Sequence, residues 1–125
     1  MITLLLVDDQ PAIRQGLRMR LALESNLKVI GEAGDGLAAI ELVHQLHPDV
    51  VLMDVEMPRL DGIVATRALR AIAPDTAVII VSLYSDANTE GRALAAGAAA
   101  FVGKHAGEEA LLAAIQRATF KPNGN

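Results

Sequence analysis

The sequence predicts an α/β fold, a three-layer doubly wound sandwich in which helices cover both faces of a parallel sheet. Two observations predict it. Runs of consecutive aliphatic residues recur along the chain, as in strands buried on both faces, and segments with helical apolar spacing separate them. Because strand and helix alternate five times, the connections should be right-handed crossovers between five parallel strands. Among the doubly wound orders we expect 2-1-3-4-5.

The five strands are predicted from the aliphatic runs. Residues 3–7, 49–53 and 77–81 are apolar at nearly every position, and residues 28–33 and 99–103 are weaker runs of the same kind. Strands of this composition are typical of a sheet that is buried on both faces. The arrangement is flavodoxin-like.

The five helices are predicted from residues that begin and end helices. Pro11 is tolerated in a first helical turn, and an apolar stripe follows it. Acidic residues suited to N-capping precede the next three helices, over residues 37–46, 63–71 and 87–96: Asp35, Asp61 and Asp86. Gly97 fits a left-handed residue after the fourth helix. Glu108 and Glu109 fit the first turn of a fifth helix, where the helix dipole favours acidic side chains.

Composition limits the classes of function. A chain of 125 residues buries roughly two-thirds of its unfolded surface, enough for one compact domain. The absence of cysteine excludes a disulfide scaffold, a thiolate metal site and a thiol nucleophile. The 11 basic and 15 acidic residues give a net charge of −4, and the basic residues form no cluster. Direct binding of nucleic acid by this chain is therefore not expected.

Domain organisation and location are also predicted. We expect one domain over residues 1–120 and a short C-terminal linker, KPNGN, over residues 121–125. No apolar run approaches the roughly 20 residues that a membrane-spanning helix needs. The N-terminus lacks the pattern of a signal peptide. We therefore expect a cytoplasmic protein without membrane contact.

Polar residues follow four of the predicted strands, where the carboxyl ends should meet at one edge of the sheet: Asp8, Asp9, Asp54, Ser82 and Lys104. Three carboxylates within about 4 Å repel by roughly 4 kcal/mol per pair at an effective dielectric constant of 20, so cations must balance them. Carboxylate oxygens suit Mg²⁺, held by Asp8 and Asp9 directly or through water. Asp54 is the predicted nucleophile toward phosphorus, with Lys104 and Ser82 contacting the phosphoryl oxygens.

With these residues in place, the sequence resembles the receiver domain of bacterial two-component response regulators, from Ile2 to about Thr119. The resemblance rests on the segments LLLVDDQPAIR, PDVVLMDVEMPRLDG, VIIVS and AGAAAFVGK. The stretches EAGDGLAAIEL and LLAAI are most similar to the NarL/FixJ (LuxR-type) subgroup, whose members join a receiver to a helix-turn-helix DNA-binding domain.

The resemblance implies a role for each site residue. Asp54 is implied to be the phosphoacceptor, contacted by Lys104. Asp8, Asp9 and Asp54 are implied to bind Mg²⁺ together with the main-chain carbonyl of Glu56. A sensor histidine kinase or a small phosphodonor supplies the phosphoryl group in this family, and hydrolysis of the acyl phosphate resets the switch.

The resemblance also implies a switch and an output. Ser82 closes on the phosphoryl group, and the rotamer of Phe101 follows it. Phosphorylation adds about −1.5 to −2 charge, and the rearrangement reaches the fourth helix, the fifth strand and the fifth helix. We expect control of transcription through a DNA-binding domain outside this chain, with homodimerisation on phosphorylation as a further contact.

Three positions depart from the family pattern or adjust it. Many relatives have a proline in a cis bond after the lysine, whereas His105 follows Lys104 here. A cis bond before a non-proline residue costs about 2.5 to 4 kcal/mol, which disfavours it. Glu56 and Tyr84 occupy positions that shield or orient attacking water. We hypothesise that Tyr84 slows hydrolysis by excluding water, so that Tyr84→Ala should dephosphorylate faster.

Two other functions stay open from the sequence. One is a stand-alone signalling adaptor, without a DNA-binding domain. The other is a phosphatase with an aspartyl nucleophile, but such enzymes need a second aspartate two residues after the first, and this chain has Glu56 there. We therefore expect self-phosphorylation and slow autodephosphorylation only, rather than enzymatic turnover. For Asp8 and Asp9, the alternative interpretation is simple N-capping of the first helix.

Overall fold

The computed structural model describes residues 1–83 and 86–120; Tyr84 and the predicted linker, residues 121–125, lie outside them. The described chain forms one sheet and five helices. The strands are β1 (Ile2–Val7), β2 (Leu27–Ala33), β3 (Val50–Met53), β4 (Ala77–Ser82) and β5 (Ala100–Gly103). The helices are α1 (Pro11–Leu21), α2 (Gly36–Leu46), α3 (Gly62–Ile72), α4 (Ala87–Ala95) and α5 (Glu108–Thr119).

All neighbouring strands are parallel, and their order is β2-β1-β3-β4-β5. The predicted fold class and strand order are confirmed. The register aligns Val7 at the end of β1 with Met53 at the end of β3. It also aligns Ser82 at the end of β4 with Gly103 at the end of β5. The residues that follow these four strands therefore lie side by side at the same edge of the sheet.

The sheet separates two apolar clusters, which explains the consecutive aliphatic runs. Leu5 and Val51 belong to a cluster that includes buried side chains of α2, α3 and α4. Their neighbours Leu4 and Leu52 belong to a second cluster with side chains of α1 and α5. Successive strand residues point to opposite faces, so both positions must be apolar when both faces are covered.

The helix ends follow the predicted signals, with shifts of a residue at some boundaries. The carboxylates of Asp35, Asp61 and Asp86 accept hydrogen bonds from the first-turn amides of α2, α3 and α4. After α4, Gly97 has a φ of 105°. The amides of Gly97 and Ala98 donate to the carbonyls of Leu94 and Ala93, the hydrogen-bond pattern of a Schellman motif.

Helices α2 and α3 each begin one residue earlier than predicted, at the glycine that follows the capping aspartate. Among the described residues, none of the helices is long and apolar enough to cross a membrane.

Candidate functional site

The site lies where β1, β3 and β5 end. Asp8, Asp54 and Lys104 each follow the last residue of one of these strands. The Asp54 amide donates to the carbonyl of Val7 at 2.9 Å, which continues the sheet ladder one residue past β3. The Lys104 amide donates to the carbonyl of Ser82 at 2.7 Å in the same way. The ends of four strands therefore hold the backbone of the site residues in place.

Three carboxylates converge at this edge. Asp8, Asp9 and Asp54 each offer one oxygen, and these oxygens all lie within 4.8 Å of one another. Asp8 is buried, with 3% of its surface exposed, Asp54 is half-buried and Asp9 is exposed. All the donors are hard, anionic oxygens, the type that Mg²⁺ prefers in proteins. The cluster could hold a divalent cation that enters from the Asp9 side.

Lys104 supplies a positive charge inside the cluster. Its Nζ lies 3.0 Å from Asp8 Oδ2 and 3.6 Å from Asp54 Oδ1. The lysine side chain is 13% exposed, so this ion pair is largely shielded from solvent. Such a pair is strongly coupled, because little water screens it. The sequence predicted that Lys104 would meet the carboxylates, and the structure brings them together.

The surroundings of Asp54 oppose its ionisation. Burial raises the pKa of the Asp54 carboxyl, and the nearby charges of Asp8 and Asp9 raise the pKa further. The Lys104 charge and the Val55 amide, which donates to Asp54 Oδ1 at 2.9 Å, act in the opposite direction. The net effect is a raised pKa, so a further cation beside Asp54 would favour the carboxylate form that nucleophilic attack requires.

A cleft of about 570 Å³ opens over Asp54. Its walls are both charged and apolar, and the lining residues are Asp9, Gln10, Asp54, Glu56, Met57, Pro58, Leu83 and Lys104. The volume falls within the range of small-molecule sites. Solvent and a small phosphorylated molecule can therefore reach Asp54, while Asp8 lies beneath the surface.

This geometry agrees with comparisons to known proteins. The family description "Response regulator receiver domain" matches residues 4–116. The chain belongs to the response regulator receiver domain family.

Related sequences include regulators of transcription. The receiver domain is 40% identical over 117 residues to "Response regulator GacA" of Pseudomonas aeruginosa, covering 94% of this chain and 55% of the relative. It is 35% identical over 115 residues to "Transcriptional regulatory protein DegU" of Brevibacillus brevis, covering 92% and 49%. The chain thus spans about half the length of these relatives.

Solved structures agree in fold. The response regulator domain of Thermotoga maritima CheB has a TM-score of 0.86 and 35% identity, with 98% of this chain and 99% of that chain covered. The signal receiver domain of the putative response regulator NarL from Mycobacterium tuberculosis has a TM-score of 0.85 and 34% identity, with 92% and 96% covered. The structures similar to this chain thus include a NarL receiver domain, in agreement with the subgroup that the sequence resembles.

The structure of the receiver domain separates two interpretations of the acidic pair. The N-cap of α1 is Gln10, not Asp8 or Asp9. Asp8 Oδ1 instead accepts a hydrogen bond from the Gln10 amide at 2.9 Å, and Asp8 Oδ2 faces Lys104. Simple N-capping therefore does not explain the pair.

Arg14 has a place in the site that the sequence analysis missed. Its Nη1 donates to the main-chain carbonyl of Asp8, and its Nε donates to Glu32 Oε1 at 3.0 Å. The other oxygen of Glu32 accepts from Arg18 Nε at 2.7 Å. Arg14 and Arg18 thus both bind the Glu32 carboxylate on β2. Arg14 also binds the main chain of the acidic loop at Asp8. Arg14 ends the segment LLLVDDQPAIR, but no local pattern in the sequence pairs it with Glu32.

Gly62 is a second residue that the sequence analysis did not single out. Its amide donates to the carbonyl of Val55 at 2.8 Å. A Cβ at this position would lie 1.8 Å from the carbonyl oxygen of Asp54, much closer than a non-bonded carbon can approach. Because residue 62 is a glycine, the loop that follows Asp54 can close against the backbone of Asp54.

The other predicted site residues occupy different surroundings. Ser82 is the last residue of β4 and is 1% exposed. Phe101 lies on β5 and packs against the cluster on the α2–α4 side. Glu56 is exposed and lines the cleft. The described residues contain no cis peptide bond, so Lys104 and His105 are joined in trans.

Proposed function

We propose that this receiver domain accepts a phosphoryl group on Asp54 in a Mg²⁺-dependent reaction. The observation that carries the proposal is the placement of Asp54 below an open cleft, beside two further carboxylates and 3.6 Å from the Lys104 ammonium. This arrangement has the nucleophile, the ligands for a cation and a fixed positive charge, which together are the parts that phosphoryl transfer to a carboxylate needs.

The residues present fit Mg²⁺. Asp8, Asp9 and Asp54 offer three oxygens within 4.8 Å of one another, and the cleft leaves room for the waters that Mg²⁺ retains. We assign these three side chains as ligands, together with the main-chain carbonyl of Glu56. When bound, the ion supplies positive charge that stabilises the phosphoryl oxygens in the transition state.

The chemistry of the chain follows from these positions. An Oδ atom of Asp54 attacks the phosphorus of a phosphodonor, so an O–P bond forms while the bond from phosphorus to the leaving group breaks and its electron pair departs with that group. The Lys104 ammonium compensates charge on the phosphoryl oxygens, and the Ser82 hydroxyl donates a hydrogen bond to them. When water attacks the phosphorus of the acyl phosphate, a new O–P bond forms, the bond from phosphorus to Asp54 breaks, and inorganic phosphate leaves as the Asp54 carboxylate is restored. We assign Glu56 and Tyr84 to the control of this step.

The signal is proposed to leave through β4 and β5. The hydrogen bond from the Lys104 amide to the Ser82 carbonyl already joins the ends of these strands. When Ser82 moves toward the phosphoryl group, Phe101 on β5 is proposed to change rotamer, and the face formed by α4, β5 and α5 changes with it. This face is the proposed contact for homodimerisation.

The biological role is proposed from the relatives. We infer that a sensor histidine kinase or a small phosphodonor phosphorylates the domain in the cytoplasm. Residues 1–120 form the receiver and residues 121–125 a linker. Because the relatives named as transcriptional regulatory proteins are about twice as long as this chain, we propose that a further domain binds DNA and that the receiver itself does not.

Intact-mass spectrometry after incubation with Mg²⁺ and acetyl phosphate tests the proposal. The wild-type protein should gain one phosphoryl group, and the gain should be lost in Asp54→Asn and in excess EDTA. Asp75→Asn, which changes an exposed aspartate outside the cluster, should behave as wild type.

Two outcomes would contradict the proposal. If Asp54→Asn gains phosphoryl as fast as the wild type, another residue is the acceptor. If the protein continuously releases phosphate from added phosphate esters, it is a phosphatase rather than a switch.

A further inference from the structure

The loop that forms one wall of the cleft contains a strained turn. Arg59 has a φ of 66°, in the left-handed region that side-chain-bearing residues avoid. The Leu60 amide donates to the Pro58 carbonyl at 2.7 Å, two residues back. Together these features form a γ-turn with positive φ, a rare and strained type. Such a turn persists only when its surroundings hold it.

The surroundings that hold the turn belong to α2. Arg59 Nε and Nη2 both donate to Asp35 Oδ2, at 3.0 and 2.7 Å. Asp35 uses its other oxygen, Oδ1, to accept from the Ala38 amide at 2.9 Å and so caps α2. One carboxylate thus joins a helix N-terminus to the strained residue.

A second connection lies beside the first. The Gly36 amide donates to the Leu60 carbonyl at 3.1 Å. A Cβ on Gly36 would lie 2.4 Å from that carbonyl oxygen, so glycine is required for this contact. The turn is therefore attached to α2 both at Arg59 and at Leu60.

The three residues before Arg59 face the candidate site. Glu56, Met57 and Pro58 all line the cleft above Asp54. On the far side of the turn, the Gly62 amide is hydrogen-bonded to Val55, next to Asp54. The loop is held at its base and at its tip, and the Arg59 guanidinium makes one of the two attachments at the tip.

We propose that Arg59 is a positioning residue for the cleft, and that its ion pair with Asp35 holds the wall formed by Glu56, Met57 and Pro58 at the distance that the cation and the phosphoryl group need. The inference rests on the proposed function, since it concerns the same site. Arg59 is not among the residues that line the cleft, so it acts through the γ-turn.

Two variants remove the ion pair from opposite sides. Arg59→Asn deletes the guanidinium and keeps a residue that tolerates positive φ. Asp35→Asn deletes the charge and keeps a side chain that caps helices well. Arg67→Gln, on the exposed side of α3, removes an arginine charge away from the loop and serves as the control.

Amide hydrogen exchange of residues 55–61 in metal-free protein and calorimetric titration with Mg²⁺ test the inference. In each single variant we expect exchange to be faster and Mg²⁺ affinity weaker, both by about two- to fivefold, the range that a largely exposed ion pair can supply. The double variant should add little to either single variant, because both remove one interaction.

The inference is overturned if loop exchange and Mg²⁺ affinity in both variants equal those of Arg67→Gln. It is also overturned if exchange rises equally throughout the protein, since that indicates a loss of overall stability. Failure of the proposed function is a separate result, because wild-type protein that gains no phosphoryl group leaves the exchange comparison unaffected.

Discussion

At the scale of single residues, the surroundings of Asp54 disfavour the negative charge of its side chain. Burial and the neighbouring carboxylates raise the pKa of its side chain, although Lys104 lies 3.6 Å away. The native state therefore binds the Asp54 proton more tightly than the unfolded chain does. Asp54 therefore lies where a bound cation would favour the charged form of its side chain. When no cation compensates that charge, the charge lowers the stability of the fold.

The raised pKa of Asp54 predicts that the effect of Asp54→Asn on the stability of the fold depends on pH. Because the pKa of Asp54 is higher in the native state than in the unfolded chain, the protonated carboxyl contributes stability to the fold. This contribution is complete below the ordinary pKa of the carboxyl and is lost as the pH rises through the raised pKa. In EDTA, Asp54→Asn should therefore unfold at a higher urea concentration than wild type near neutral pH. The advantage should shrink as the solution is acidified toward the ordinary pKa of aspartate. Urea unfolding over a pH series measures it.

Asp75→Asn is the matched control, since it changes an exposed aspartate outside the cluster. An Asp54→Asn protein that is no more stable than wild type at any pH would show that Lys104 fully compensates the Asp54 charge.

At the scale of elements, two glycines in helices serve different purposes. Gly62 begins α3 and leaves no room for a Cβ, because the Asp54 carbonyl lies against it. Gly16 lies within α1, and no atom lies within 4 Å of the place where its Cβ would be. The helix that starts beside the candidate site therefore depends on its glycine, whereas the folding of α1 does not depend on Gly16.

The same substitution at the two glycines should have opposite effects on the free energy of unfolding. Gly62→Ala should lower it by about 2 kcal/mol, within the range for inserting a methyl group into a packed region. Gly16→Ala should raise it by about 0.5 to 1 kcal/mol, because alanine loses less backbone freedom in a helix. Urea unfolding measures both. Equal effects of the two substitutions would contradict the close approach at Gly62.

At the scale of the whole molecule, the candidate cation site joins segments that are distant in the chain. Asp8 and Lys104 are 96 residues apart, and Asp54 lies between them in sequence. In the unfolded chain the Asp8–Asp9 pair and the Asp54 carboxylate are separated, so a cation that needs all three carboxylates binds the native state selectively. Folding and cation binding are then linked by mass action.

The linkage predicts stabilisation by Mg²⁺. At a free concentration of about 100 times the dissociation constant, Mg²⁺ should raise the free energy of unfolding by roughly 2.7 kcal/mol. Thermal unfolding with and without Mg²⁺ measures the change, with NaCl at equal ionic strength as the control. Asp9→Asn should reduce the gain. A gain that survives in Asp8→Asn/Asp9→Asn would place the cation elsewhere.

Much of this organisation was predictable because its signals are local. Aliphatic runs such as residues 77–81 mark strands that are covered on both faces, and a capping aspartate such as Asp61 marks a helix start within a residue. The convergence of Asp54 and Lys104 was predictable as well, since parallel strands place their carboxyl ends at one edge.

Other features were not predictable because they join residues without a shared local pattern. Arg14 pairs with Glu32 and Arg59 with Asp35, across 18 and 24 residues of sequence, and arginine is common on exposed surfaces. The role of Gly62 depends on a distance to Asp54 that appears only when the loop closes.

By itself, the sequence determined the class of fold, the strand order among a few alternatives and the five polar residues expected at the carboxyl edge of the sheet. These depend on periodicity and on topological rules that act on any chain of this pattern. Only the tertiary structure decided how deeply each carboxylate is buried, that Lys104 lies closer to Asp8 than to Asp54, and that Asp35, the N-cap of α2, pairs with Arg59 in the loop beside the cleft. Burial and charge pairing depend on distances in space, and folding sets those distances only when all the elements pack together.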